Sequence, residues 1–338
     1  MIKEYTIKDI AKIAGVSPRT ISRVVNEEEK VKKETRDKIL KIIKTTGYQV
    51  NLIARSLRKK RTGILMVFVE RNTADYMGNF HNIFIQHLDS EANRLGYKLI
   101  VSKSSAYKVE ENEYDGFYLL KNGFADGAII FDTREVDRRI DYLIKRNIPF
   151  VIVGRDNVYE STSFVNLDNV KAGYLGAEHL IIRGKRSIRF FLGDENFTVN
   201  QDRTKGFIQA CNDYHIKAEL VHIDYGIRSS KMAYEKMKEI LKEEVPNAVF
   251  VSGDQRAIGV YHAIQEKELK IPQDIAVLGI DNIPLSEYYY PALTTISQSV
   301  RKMAKGAIKI LDQQLKDPKN YKNQRNIFQP KLVIRNST

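Results

Sequence analysis

Cysteine is almost absent: Cys211 is the only one in 338 residues, so no intramolecular disulfide can form and a reducing compartment is the expected setting. No apolar run reaches the roughly 20 residues a membrane-spanning helix needs, and the opening MIKEYTIKDI lacks the apolar stretch of a signal peptide. The expected location is the cytoplasm. Catalytic signatures are missing as well. The histidines fall at 81, 87, 179, 215, 222 and 262, with no pair at i, i+4 to hold a metal on a helix face. There is no phosphate-cradling loop, no G-x-G-x-x-G after a strand and no G-x-S-x-G elbow. Cys211 lies in an apolar helical pattern and reads as a packing residue. The expectation is a protein that is not an enzyme and has no cofactor and no metal.

What is present in excess is positive charge, and it is unevenly placed. The net charge is +13. Residues 1–62 hold 17 Lys and Arg against 7 Asp and Glu, a net of +10, whereas the remainder holds 38 against 35, a net of +3. A basic module of this kind binds phosphate backbones through counterion release. Hydrophobic content of 43% with 29% charged residues is ordinary for a globular chain, and the length allows two or three domains.

Inside the basic region, YTIKDIAKIAGVSPRTISRVVN (residues 5–26) has the organisation of a helix-turn-helix. Ile7, Ile10, Ala11 and Ala14 recur at helical spacing. Thr6 is a fitting N-cap with Asp9 as capping-box partner, and Gly15 is a stop that can take positive φ. Ser17-Pro18 then opens a second helix. Its Ile21, Val24 and Val25 face back to the first helix, and Arg19, Thr20, Ser22 and Arg23 are left on the outer face. Ile39, Leu40, Ile42 and Ile43 predict a third helix closing a small core, ended by Gly47-Tyr48. Lys32, Lys33 and Arg36 near its start either contact phosphates or are simply solvated.

The next segment, NLIARSLRKKRT (residues 51–62), is basic and has no core of its own: a linker, or a helix that forms on docking. Leu57, isolated among polar residues, suits the apolar wedges that kink DNA from the minor groove. The helix-turn-helix, the VVN closing its second helix and the N-x-x-A-R-S-L run (Asn51, Ala54, Arg55, Ser56, Leu57) resemble the lac/gal repressor family of bacterial regulators, and the resemblance continues through almost the whole chain. In that family the hinge becomes helical on DNA and its leucine levers open the centre of a palindromic operator. The resemblance therefore implies a DNA-facing set of Thr6, Ser17, Pro18, Arg19, Thr20, Ser22, Arg23 and Asn26, joined by Asn51, Ala54, Arg55 and Leu57.

From residue 63 the pattern alternates. Apolar strand-like runs such as GILMVFVE, GAIIFD, PFVIVG, SIRFFLG, AVFVSGD and IAVLGID are separated by helical stretches, the rhythm of parallel βαβ units. The expected fold is a small all-α helix-turn-helix domain (1–50) plus hinge (51–62), joined to an α/β core of two doubly wound parallel-sheet subdomains (63–338). The resemblance implies a periplasmic-binding-protein-like core, divided into an N-subdomain of about 63–162 plus 294–325 and a C-subdomain of about 163–293 plus 326–338.

A ligand in such a core lies beyond the C-terminal ends of the strands. Arg203, in an R-x-x-G-F context, and Asp281, in G-x-D, match the family positions that hold the effector. Asp254 matches a motif aspartate, although Gly253 beside it could serve instead by admitting the ligand. Asp168 either caps the following helix or meets the ligand, and Tyr76 and Phe131 are either aromatic contacts or core. Carboxylates accept from adjacent hydroxyls and guanidinium groups donate in pairs, so a sugar suits the set. The expected function is a sequence-specific repressor of carbohydrate-metabolism genes. Its partners are a palindromic operator, a small effector and a second copy of the chain, since the closing LVIRNST has no heptads for a tetramer-forming coiled coil. Control by a phosphoprotein partner, or a sugar-binding receptor with no role in transcription, are the alternatives.

Overall fold

The computed structural model describes residues 5–25, 30–48, 61–70, 78–109, 116–156, 158–159 and 161–338. The chain divides into two units, 1–62 and 63–338. Among the described residues no helix is long and apolar enough to cross a membrane.

In the first unit three helices, α1 (Ile7–Ala14), α2 (Pro18–Val25) and α3 (Lys33–Thr46), enclose a core of Ile10, Ala11, Ala14, Ile21, Val24 and Ile39. Thr6 begins α1 with a complete capping box: the Asp9 N–H donates to the Thr6 hydroxyl (3.3 Å) and the Thr6 N–H to the Asp9 carboxylate (2.8 Å). Each such cap is worth about 1 kcal/mol. Gly15 ends the helix at φ 69°, a left-handed conformation costly for any residue with a Cβ. One expectation fails here. Leu40 is 48% exposed, because consecutive helical residues diverge by about 100° and Ile39 already takes the inward position.

The second unit holds two six-stranded sheets. The first contains β1 (Ile64–Glu70), β2 (Lys98–Ser104), β3 (Gly127–Ile130), β4 (Phe150–Val153), β5 (Phe164–Leu167) and β11 (Arg325–Phe328), in the order β11-β5-β4-β3-β1-β2. The second contains β6 (Ile188–Phe191), β7 (Val221–Asp224), β8 (Ala248–Val251), β9 (Ala276–Asp281), β10 (Thr294–Ser297) and β12 (Lys331–Val333), ordered β12-β10-β9-β8-β6-β7. Neighbours are parallel except β10 and β12. Central strands such as β3 and β8 are buried throughout, which is why they read as unbroken apolar runs.

Between the strands lie α4 (Asn79–Arg94), α5 (Gly116–Lys121), α6 (Arg138–Lys145), α7 (Asn169–Ile182), α8 (Thr198–Asp213), α9 (Ser230–Glu243), α10 (Asp254–Glu266) and α11 (Val300–Lys316). The chain changes sheet three times: after β5, after β10 and between β11 and β12. This moves the expected subdomain boundaries. Residues 164–167 pair with β4 in the first sheet and residues 294–297 with β9 in the second, the reverse of the division drawn from the sequence. A strand followed by a helix looks the same whether the next strand joins its own sheet or the other one. Strand β11, which pairs with β5, is a half-exposed edge segment with no apolar run to announce it.

Candidate functional site

On the helical unit, the Thr20 N–H donates to the Ser17 hydroxyl at 3.2 Å, the N-cap arrangement that starts α2. Ser17, Pro18 and Arg19 are exposed and Thr20, Ser22 and Arg23 half-buried, while Ile21 and Val24 of the same helix are buried. The polar side of α2 thus forms one outward face. Asn26, Asn51, Ala54, Arg55, Leu57 and Tyr76 lie outside the described residues.

In the second unit a cavity of about 190 Å³ opens between the two sheets, at the C-terminal ends of their strands. A 150 Å³ apolar cavity is enough for one benzene ring, so this space suits a small molecule. Backbone conformations that side chains rarely adopt gather at its rim: Asp132 (φ 55°), Gly154 (φ 130°), Gly253 (φ 138°) and Asp281 (φ 124°). Such local strain persists where the surrounding fold enforces it, characteristically at ligand sites.

The wall from the first sheet is aromatic with one ion pair. Phe131 is 1% exposed and packs edge-on against Phe84 (centroids 5.1 Å apart), yet one side of it lines the cavity. It is core and wall at once. His81 Nε2 meets Asp132 Oδ1 at 2.9 Å. Burial disfavours both charges, but each offsets that penalty for the other, leaving the His81 pKa above its ordinary value and that of Asp132 below its own.

The wall from the second sheet is different. Arg203 is 6% exposed, and its partners are neutral: Nε donates to Asn169 Oδ1 (3.0 Å) and Nη1 to Ser252 Oγ (2.8 Å). Burial lowers its pKa to about 10, although Asp281 works in the other direction. Two glycines place this arginine. A Cβ on Gly173 would overlap the Arg203 carbonyl and one on Gly206 the Val170 carbonyl, so α7 and α8 touch backbone to backbone. Asp281 also lines the cavity and accepts from Gln298 Nε2. Burial raises its pKa, opposed by Arg203 and Arg256. Among the described residues, neither Arg203 nor Asp281 is in an ion pair.

One expected ligand residue is corrected, and for a second the capping alternative holds. Asp254 is fully buried away from the cavity, accepting from Thr295 Oγ1 (2.6 Å), Ser286 Oγ (2.6 Å) and the Ile283 N–H (3.1 Å). A Cβ on Gly279 would overlap its carboxylate, so strand β9 closes over it and it ties β8 to β9 and β10. Burial, then the nearby Asp281, raise its pKa to about 7. Asp168 caps α7, accepting from the Lys171 N–H at 2.9 Å. Conversely, His81, Asp132, Gln298 and Arg256 line the cavity without having been singled out. The available signal for Asp132 was the residue following an apolar strand, GAIIF. Gln298 has none, because the sheet change after β10 decides where it points.

Two family models match: "Bacterial regulatory proteins, lacI family" over residues 6–51 and "Periplasmic binding protein-like domain" over residues 177–338. The HTH-type transcriptional repressor PurR of Pasteurella multocida (strain Pm70) is 32% identical over 338 residues, covering 98% of each chain. The chain belongs to the lacI family of bacterial regulatory proteins. Its fold is that of the lac repressor: a crystal structure of the lac repressor dimer bound to operator and the anti-inducer ONPF superposes with a TM-score of 0.85 at 26% identity, covering 99% of both chains. A complex of the regulator CelR with cellobiose has the same fold at a TM-score of 0.72 and 22% identity, covering 99% of this chain and 100% of that one. This lacI-family chain is a DNA-binding transcriptional regulator with a ligand-binding core.

Proposed function

We propose that this lacI-family protein is a repressor of carbohydrate-metabolism genes, acting as a homodimer on a palindromic operator and controlled by a sugar held in the cleft of its core. One observation carries the ligand reading: Arg203 and Asp281 line the same cavity with opposite charges and make no ion pair with each other. A molecule with neighbouring hydroxyls can accept from the guanidinium and donate to the carboxylate together, while the Phe131 side of the cavity meets its apolar ring face. The matching protein CelR binds cellobiose, and the lac repressor structure is a dimer on its operator. Arg19, Thr20 and Arg23 would read base edges, and the hinge residues Asn51, Ala54, Arg55 and Leu57 would carry the wedge into the minor groove.

The test is to select DNA from a random pool with the full-length protein. A palindromic consensus is expected, bound with an affinity that falls steeply with salt. Leu57→Ala is expected to weaken that site far more than random DNA. Equal losses on both would remove the wedge, and no enrichment of any sequence would remove the repressor reading.

A further inference from the structure

The two halves of the core touch through polar contacts that extend past the ligand cavity. Arg155, in the loop after β4 of the first sheet, forms a bidentate pair with Asp202 of α8, on the second half, at 2.6 and 2.7 Å. Neither lines the cavity. Arg134, between β3 and α6, pairs with Asp194, in the loop after β6, at 3.0 Å. Its guanidinium lies between two aromatic rings, 4.7 Å from the centroid of Tyr107 and 4.5 Å from that of Phe197. Beside it the Thr198 N–H donates to the Thr133 carbonyl (3.1 Å), the two threonine hydroxyls lie 3.3 Å apart, and Arg134 and Phe197 form a short antiparallel bridge. The Asn79 N–H, at the start of α4, donates to Gln255 Oε1 of α10 (3.0 Å).

Each of these contacts joins a residue fixed to the first sheet to one fixed to the second, so all of them depend on the cleft being closed. Their chemistry gives them weight. A planar bidentate arginine–carboxylate pair is strong and geometrically demanding, and a guanidinium sandwiched between aromatic rings is stabilised further as water is excluded. Arg134 is 4% and Asp194 12% exposed, which reduces the solvent screening that makes open surface pairs weak.

We infer that Arg155–Asp202 and Arg134–Asp194 form a clasp that closes the two halves of the core, so that these residues set the open–closed balance on which an effector acts. The inference rests on the cleft being the effector site and adds what determines its closing. A ligand that binds the closed form has an apparent affinity scaled by the closed fraction. A strong clasp therefore raises sensitivity to the effector, through residues that (in the Arg155–Asp202 pair) do not line the ligand cavity. These are positioning residues.

The experiment reads closure without effector or DNA. Cys211 is replaced by Ser, Thr133 and Thr198 by Cys, and the rate of disulfide formation in the full-length protein under oxidised glutathione is followed by non-reducing gel; attack by a thiolate requires the two sulfur atoms to meet. With the clasp intact, rapid crosslinking is expected. Arg155→Ala is expected to slow it about threefold or more, and loss of both pairs (adding Asp194→Asn) about tenfold, the reduction in closed fraction. The charge exchange Arg155→Asp with Asp202→Arg is expected to restore the rate to within about twofold, which a folding defect would not do. Rates unchanged after removal of both pairs would overturn the clasp, as would slowing by Arg155→Ala that the charge exchange does not reverse. Either result leaves the operator-selection test of the repressor reading untouched, and failure of that test would leave the crosslinking result standing.

Discussion

The two sheets of the core are built on one plan, each with its central four strands in the same winding, yet they furnish opposite kinds of wall. The first sheet brings Phe131 and a His81–Asp132 pair whose charges meet one another. The second brings Arg203, held by neutral partners only, and Asp281, held by Gln298. A charge already paired has little to offer a ligand, whereas a buried charge with neutral neighbours still gains from a polar group placed beside it. On the proposed reading, recognition of ligand polarity would reside mainly in the second half, and the first would supply shape. Within the second half, a further contrast separates two aspartates at neighbouring strand ends. Asp254 spends its acceptors on the fold, and Asp281 faces the cavity.

Substitutions can break this division or sharpen it. Asp254→Ala leaves Ser286, Thr295 and the Ile283 N–H without their acceptor and is expected to cost about 3 kcal/mol of stability in a denaturant titration. Asp281→Ala is expected to cost well under half of that while abolishing ligand binding; equal destabilisation by both would erase the distinction. Next comes Arg203→Gln, which removes a charged donor and is expected to weaken ligand binding by about 2 kcal/mol, roughly 30-fold, by calorimetry. His81→Gln tests the first wall through pH. The raised pKa of His81 means that its contribution to stability is complete below the ordinary histidine value and is lost as pH rises through the folded value. The lowered pKa of Asp132 means that its share is lost only as acid takes the pH down through that value. The melting temperature of the wild type should therefore exceed that of His81→Gln most between about pH 4 and 6.5 and the gap should narrow above this window. A pH-independent gap would show that the pair is not ionised.

The smaller unit was the more legible of the two. Thr6, Asp9, Gly15, Ser17 and Pro18 act on their immediate neighbours, so capping and turn chemistry reveal them directly. In the core, strands and helices were also evident from their periodicity, but three sheet changes were not, because they depend on which strand edge the chain meets. The same reason divides the site. Arg203 was readable from its R-x-x-G-F context, where Gly206 marks the close approach of α7 and α8. Asp254, in an SGD strand end that looks equivalent to the LGID of Asp281, turns inward only because Ser286 and Thr295 arrive from elsewhere in the chain. His81 pairs with a residue 51 positions away, a meeting that no local pattern encodes.

The central claim is that a small polyhydroxylated ligand is held by Arg203 in the cleft of the core. A melting-temperature screen of the full-length wild type against a panel of neutral and phosphorylated sugars, repeated with Arg203→Gln, tests it directly, since a ligand that binds only the folded protein raises its melting temperature. The account predicts at least one sugar that stabilises the wild type and, at the same concentration, stabilises the variant much less. A sugar that raises both melting temperatures equally, or a panel that moves neither, would contradict it.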